Sequence, residues 1–262
     1  MKNVLKRSIH IFVIALLWGC STLSLAQEEH KEPWDPIEPV NRGIFWFNDQ
    51  FDMFVAEPVA RGYDYVMPDE AQASVTRFFR NLAWPAHLFD DLIALDIESA
   101  GVHTGRFLIN STIGVGGLFD VADDFGLKHK NTDLGLVLGR HGVGDGPYLV
   151  IPFLGPSNLR DLFGTTVDSY LDPVTLATYL DLTDNEKMAI FFGANGLRLI
   201  NRRASLLEAI ETAKEGTIDY YTFAKSSYNQ NRKGEIDSYS DGNGEAKGVL
   251  NDREDEDFLP ED

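Results

Sequence analysis

The chain has 262 residues, of which 44% are hydrophobic and 11% aromatic. That is enough to bury a core in one domain or two, and too apolar for a disordered chain. With 41 Asp and Glu against 23 Lys and Arg, the formal net charge is -18. A phosphate backbone or an anionic lipid surface is repelled by such a balance, so no nucleic-acid partner is expected and any membrane contact must be apolar.

The charge is unevenly placed. Residues 1–19 carry Lys2, Lys6 and Arg7 and no acid. They are followed by a short apolar run, Ile11 to Trp18, which reads as an export signal and is too short to span a bilayer as a mature helix. Cys20, the single cysteine, excludes an internal disulfide framework. It follows Leu17-Trp18-Gly19, which resembles a lipobox, so one reading is cleavage before Cys20 and its lipidation; the other is an ordinary cleavage after Ser24-Leu25-Ala26. A lipidated Cys20 would hold the protein at a membrane without a spanning helix.

Beyond a linker at 20–34, the chain reads as short helices punctuated by Pro and Gly. Pro39 opens a helix whose apolar positions Val40, Ile44, Phe47, Phe51 and Phe54 follow a helical period, widened by Phe45 and Trp46, and Pro58 is expected to close it. Asp69 is expected to cap the next, with Val75, Phe78, Phe79 and Leu82 on one face. Pro85 opens a third, carrying Leu88, Phe89, Leu92 and Leu95. Gly101 with Gly105, and Gly135 with Gly139, have the small-xxx-small spacing of close helix approach. A long helix is expected from Asp184 through Ile210, loosened at Gly193 and Gly196, and a last one follows Asp219. From Gly234 to Asp262 the composition is acidic with little to bury, and it reads as a disordered tail.

The stretch "GRHGVGDGPYLVIPFLG" (Gly139 to Gly155) is the most unusual in the chain. Gly142, Gly144 and Gly146 permit positive φ, and Pro147 and Tyr148 lead into an apolar run broken by Pro152, so a turn or short hairpin is expected. "IGVGG" (Ile113 to Gly117) has Phe119 where a dinucleotide fingerprint needs a third glycine, and "GVGDGP" lacks the Lys and Ser/Thr of a P-loop. His87, His103, His129 and His141 form no H-E-x-x-H pair, and there is no G-x-S-x-G, so no catalytic residue, metal site or cofactor is assigned. Asp120, Asp123 and Asp124 read most simply as helix capping.

Wide amphipathic faces have two physical outcomes. They bury one another in a soluble core, or lie flat in one leaflet with their apolar sides toward lipid.

Four segments carry a resemblance: "DPIEPVNRGIFWFN" (Asp35 to Asn48), "EPVARGY" (Glu57 to Tyr63), "RFLINSTIGVGGLFDVA" (Arg106 to Ala122) and "DLGLVLGRHGVGDGPYLVIPFLGPSNLRD" (Asp133 to Asp161). In order and spacing they resemble the MlaA/VacJ lipoprotein family, over about Asp35 to Arg232. Where the family usually reads Asp-Pro-Leu-Glu-Gly-Phe-Asn-Arg, this chain has Pro39-Val40 before Asn41-Arg42. "DYYTFAKSSYNQNR" (Asp219 to Arg232) is similar only loosely to the family's closing motif.

The resemblance implies a mainly α fold over 35–233, a ring or disc of amphipathic helices around a central amphipathic channel in the inner leaflet of a Gram-negative outer membrane. It implies phospholipid movement without covalent chemistry: lipids mislocalised to the outer leaflet pass through the channel to a periplasmic lipid-carrier protein, and a trimeric porin is a partner. The alternative is a soluble periplasmic binding or scaffold lipoprotein with no channel. Within the resembling motifs, Asn41, Phe45, Asn48, Gly114, Gly116, Gly117, Gly142, Gly144, Gly146, Pro147 and Tyr148 are the candidates for channel or gate. Arg42, Arg106 and Arg160 are expected to pair with Glu38, Asp120 and Asp161, or to meet lipid phosphate.

Overall fold

The computed structural model describes residues 33–240. The export signal, Cys20, most of the 20–34 linker and residues 241–262 of the acidic tail lie outside them.

Helix α1 spans Glu38–Phe51 with Pro39 in its first turn, where a missing N–H is harmless. It does not close at Pro58. A π-helical turn, Asp52–Ala56, carries the chain straight into α2, Glu57–Val66. A proline ring inside an α-helix clashes with the carbonyl four residues back, and the wider turn just ahead of Pro58 makes the room it needs. Arg203 and Lys214 converge on that turn: Arg203 Nε lies 2.5 Å from Asp52 Oδ1, and Lys214 Nζ lies 2.8 Å from an Asp49 oxygen.

Next come α3, Asp69–Leu82, and α4, Trp84–Ile93, with Pro85 in the first turn of α4. Pro68 takes the N-cap position of α3, and Asp69 makes no capping bond. It sits instead with Glu70 in the first turn, where both complement the helix dipole. Helix α5, Ile97–Thr112, is capped by Asp96, which accepts from the Ser99 N–H at 2.9 Å. A short α6, Val121–Asp124, precedes α7, Leu134–Arg140, which Asp133 caps through Leu136 N–H.

The expected hairpin is present. Strand β1, Tyr148–Ile151, pairs antiparallel with β2, Gly155–Asn158, with Tyr148 opposite Asn158 and Ile151 opposite Gly155. Its turn is Pro152-Phe153-Leu154, so the glycines at 142–146 lie in the approach to the hairpin and not at its tip. Helices α8 (Leu159–Leu171), α9 (Pro173–Ala177), α10 (Asp184–Ser205), α11 (Leu207–Gly216) and α12 (Tyr220–Ser240) complete the described chain.

Two further boundaries differ from the sequence reading. Helix α10, opened by a Thr183–Glu186 capping box, runs uninterrupted through Gly193 and Gly196 but breaks at Leu206. There the Ser205 hydroxyl donates to the Arg202 carbonyl, a local bond that competes with helix continuation. Helix α12 continues past Gly234 to Ser240, so the first residues of the acidic segment are helical. Arg232 explains it by holding Glu235 one turn further on, 3.1 Å away.

Glycines set the closest helix crossing. A Cβ on Gly164 would stand 2.3 Å from Gly135 N, and one on Gly135 would stand 2.6 Å from Asp161 Oδ1. Gly101, by contrast, faces open space, and a Cβ on Gly105 would meet only the Leu127 side chain, at 3.2 Å, so of the two small-xxx-small pairs Gly135 and Gly139 mark the tighter contact.

Burial is inverted relative to an ordinary soluble core. The buried apolar residues are few and mostly small, with one cluster of Tyr148, Val150 and Tyr221. Asn41, Asp90, Asp91, His103, Arg106, Arg160, Asp161, Arg203 and Lys225 are also buried. Trp46 is 65% exposed, Phe54 71%, Leu95 81% and Phe192 65%. No described helix is long and apolar enough to cross a membrane.

Candidate functional site

The hairpin is held by two asparagines of α1 seven residues apart, on one helical face. Asn41 is 1% exposed. Its amide donates to the Tyr148 carbonyl at 2.9 Å and to Asp35 at 2.8 Å, and accepts from the Val150 N–H at 3.0 Å. Asn48 repeats the pattern further along β1, donating to the Ile151 carbonyl at 2.9 Å and accepting from the Phe153 N–H at 2.8 Å. Side-chain amides reproduce the donor and acceptor of a peptide group, so α1 serves β1 as a substitute neighbouring strand. Phe45 packs edge-on against Tyr220 and Tyr221, and Phe47 and Phe51 pack edge-on against Phe153. Phe153 and Leu154 nonetheless remain more than half exposed. The clamp presents an apolar tip whose backbone is fixed.

The glycine-rich approach to β1 is tied down by Arg160. Its guanidinium donates to the Val143 carbonyl at 3.3 Å, to Asp145 Oδ1 at 2.5 Å and to Asp161 Oδ1 at 3.0 Å. Gly142 and Gly146 take positive φ and Gly144 does not. The Leu159 N–H donates to the Pro147 carbonyl, closing the loop onto α8.

Asp161 is a hub. It accepts from Asn158, Arg160, the Tyr228 hydroxyl and Arg232 Nε, the last at 2.8 Å. Burial works to raise its pKa, but these donors outweigh it and hold the carboxyl below its ordinary value. Arg232 also grips Asp133 through two bonds of 2.8 and 2.9 Å, so α12 is bolted to α7 and α8 at once. At the other end of α12, Asp219 pairs with Arg42 at 2.8 Å while Arg42 also holds Glu38 at 2.7 Å, and Tyr221 donates to Asp35. Asp35, Asp133, Tyr221, Tyr228 and Arg232 were missed by the sequence reading of the site. The loosely similar segment from Asp219 to Arg232 was the available signal.

In the segment from Arg106 to Ala122, Arg106 donates to the Leu127 carbonyl and to Asp120, and Asn110 donates to Asp120 at 2.8 Å. Asp120 therefore makes no capping bond to α6, contrary to the capping expectation; Asn110 Oδ1 accepts from the Ala122 N–H instead, at 2.9 Å. Gly114 and Gly117 are forced by close approach, since a Cβ on Gly117 would sit 2.5 Å from Asn81 Cβ. Gly116 has positive φ and open space.

This motif borders a cleft lined by Arg77, Arg80, Asn81, Trp84, His87, His103, Arg106, Phe107, Asn110, Asp120 and His129. The three imidazoles have ring centroids 5.3 to 6.3 Å apart. No group of three or more metal-ligating side chains is found among the described residues.

Fold and site together define a mainly helical protein with a polar, ion-paired interior and an apolar exterior, its hairpin clamped to one helix. The chain belongs to the MlaA lipoprotein family, which matches residues 33–235. It is 31% identical over 82% of its length to the intermembrane phospholipid transport system lipoprotein MlaA of Escherichia coli, covering 82% of that protein, and 28% identical to the MlaA of Haemophilus influenzae, over 81% of this chain and 83% of that one. An uncharacterized protein of Rickettsia felis is 32% identical over 78% of this chain and 79% of its own. A solved structure concerned with the maintenance of bacterial outer membrane lipid asymmetry superposes with a TM-score of 0.64 at 29% identity, covering 76% of this chain and 96% of that one.

Proposed function

We propose that this protein is an outer-membrane-associated lipoprotein of an intermembrane phospholipid transport system. It takes phospholipids mislocalised to the outer leaflet through a central amphipathic channel and passes them to a periplasmic lipid carrier, preserving lipid asymmetry. Its relatives from Escherichia coli and Haemophilus influenzae bear that system's name. The observation that carries the reading is the inverted burial: buried guanidiniums and carboxylates, with Trp46, Phe54 and Phe192 turned outward. Large exposed apolar surface on a soluble monomer is a liability, and acyl chains are the partner that removes it.

In this reading the helices lie in the inner leaflet as a ring, anchored through lipidated Cys20 and seated beside a trimeric porin. Phe153 and Leu154 form the apolar rim of the channel, and the segment from Gly142 to Tyr148 is the Arg160-braced approach to that rim. No covalent chemistry is involved. The direct test is the phospholipid content of the outer leaflet in cells with and without the chain. Accumulation on deletion is expected, and unchanged content overturns transport. Exporting Cys20→Ala through another signal tests the embedding: it should stay membrane-bound until detergent is added.

A further inference from the structure

The cleft beside α3, α4 and α5 is unusual for so acidic a protein. Two helices turn matching faces to it, Arg77, Arg80 and Asn81 from α3 and His103, Arg106, Phe107 and Asn110 from α5, with Trp84 and His87 of α4 and His129 completing the lining. Against three guanidiniums and three imidazoles the lining offers a single carboxylate, Asp120. Arg106 uses that carboxylate together with the Leu127 carbonyl and lies 3.9 Å from Asp123 outside the lining, and Arg80 approaches Asp120 at 3.7 Å. Arg77, half buried, has no ion-pair partner among the described residues.

We propose that this cleft binds a phosphate-bearing anion, the chemistry shared by a phospholipid headgroup and free phosphate, with Arg77 as its guanidinium contact. A guanidinium held partly out of water without a carboxylate, as Arg77 is, costs free energy, and a bound phosphate removes that cost. A guanidinium fork matches phosphate oxygens, and imidazole N–H groups add donors. Trp84, stacked on Phe107 at 4.4 Å between ring centroids, offers an apolar wall for glycerol carbons.

The imidazoles add a pH dependence. Burial, then the neighbouring His103 and Arg80, push His87 down to about 4, with Asp133 opposing. His129 is held well below its ordinary value by burial, then Arg80, His87, Arg106 and His103. His103 is engaged by Asp91 at 2.6 Å and the Lys130 carbonyl at 2.9 Å. Both depressed imidazoles are neutral near pH 7. An anion placed between them raises their pKa values, so binding takes up protons and tightens as pH falls.

The proposal draws on the transport reading only for the source of the phosphate. The test is calorimetry of the full chain in detergent with glycerophosphoglycerol, a deacylated headgroup whose charge is constant from pH 6 to 8, and separately with inorganic phosphate. Saturable binding is expected, stronger at pH 6 than at pH 8, and weakened about tenfold by Arg77→Gln but not by Arg202→Gln on the exposed face of α10. Preference for the diester marks a headgroup site; equal binding marks a general phosphate site. If neither probe binds, or if Arg77→Gln binds as tightly as the unaltered chain, the proposal is overturned. Should Arg77→Gln fail to fold, histidine ring NMR of the unaltered chain decides: the diester must move the His87 and His129 signals. Absent binding alongside intact transport in cells removes the cleft and leaves the channel reading standing.

Discussion

Asn48 and Phe153 are joined side chain to backbone, the amide oxygen of one accepting the N–H of the other at 2.8 Å. Phe153 has a φ of 65°, a left-handed conformation disfavoured for a bulky residue, and this bond helps hold it there. Asn48→Ala should cost about 1 to 2 kcal/mol and speed hydrogen exchange at Phe153. Asn48→Asp should be no better, because a carboxylate still accepts from Phe153 but cannot donate to the Ile151 carbonyl. Wild-type exchange protection in Asn48→Asp would show the clamp to be unimportant.

The Gly164–Gly135 crossing admits no side chain. Gly164→Ala is expected to destabilise by about 1 to 3 kcal/mol or more, since the added Cβ meets backbone that cannot yield locally. Gly144→Ala, in open space without positive φ, should be neutral or slightly stabilising. Urea denaturation of the two variants side by side measures the contrast.

Arg232 and Arg160 both feed the buried Asp161 hub. Arg232→Gln leaves Asp161 and Asp133 short of a cation and should cost about 3 to 5 kcal/mol, loosening α12 from α7 and α8. Arg160→Gln should also destabilise, with the 142–147 loop becoming protease-sensitive. Full stability of Arg160→Gln combined with lost lipid transfer would instead make Arg160 a headgroup contact. Because Asp161 is held below its unfolded pKa, its contribution is present above about pH 4 and fades as pH falls through the lower folded value.

Asp90 works in the opposite sense. It is 1% exposed, and burial followed by the charges of Asp168 and Asp133 raises its pKa; burial likewise raises that of Asp168. An acid whose folded pKa is raised stabilises the fold when protonated. This contribution is therefore complete below the unfolded value near 4 and is lost as pH rises through the raised values. Asp90→Asn should accordingly gain stability relative to the unaltered chain at pH 8 and lose that advantage at pH 4. Equal thermal shifts at both pH values would exclude the protonated carboxyl.

Much of this was legible along the chain. Pro39 and Pro85 opened helices because a missing N–H is tolerated only in a first turn, and the Gly-Pro pattern around Tyr148 marked a hairpin because few conformations suit it. The same rule misplaced the end at Pro58, since a one-residue widening of the helix leaves no mark in composition. Asp120 was read from its local neighbours as a cap and from the family motif as a partner of Arg106; the pair forms and the cap does not, because Arg106 reaches it from another helix.

Local chemistry, then, determined from the sequence which segments are helical, where most begin, and which family's motifs recur. Only tertiary structure decided that Asn41 and Asn48 stand in for a strand, that Arg232 joins residues 71 and 99 positions away, and that histidines from three segments meet in one cleft. Periodicity records which side of a helix is apolar. Whether that side turns inward or outward depends on which polar groups find partners in space, and here they found one another inside.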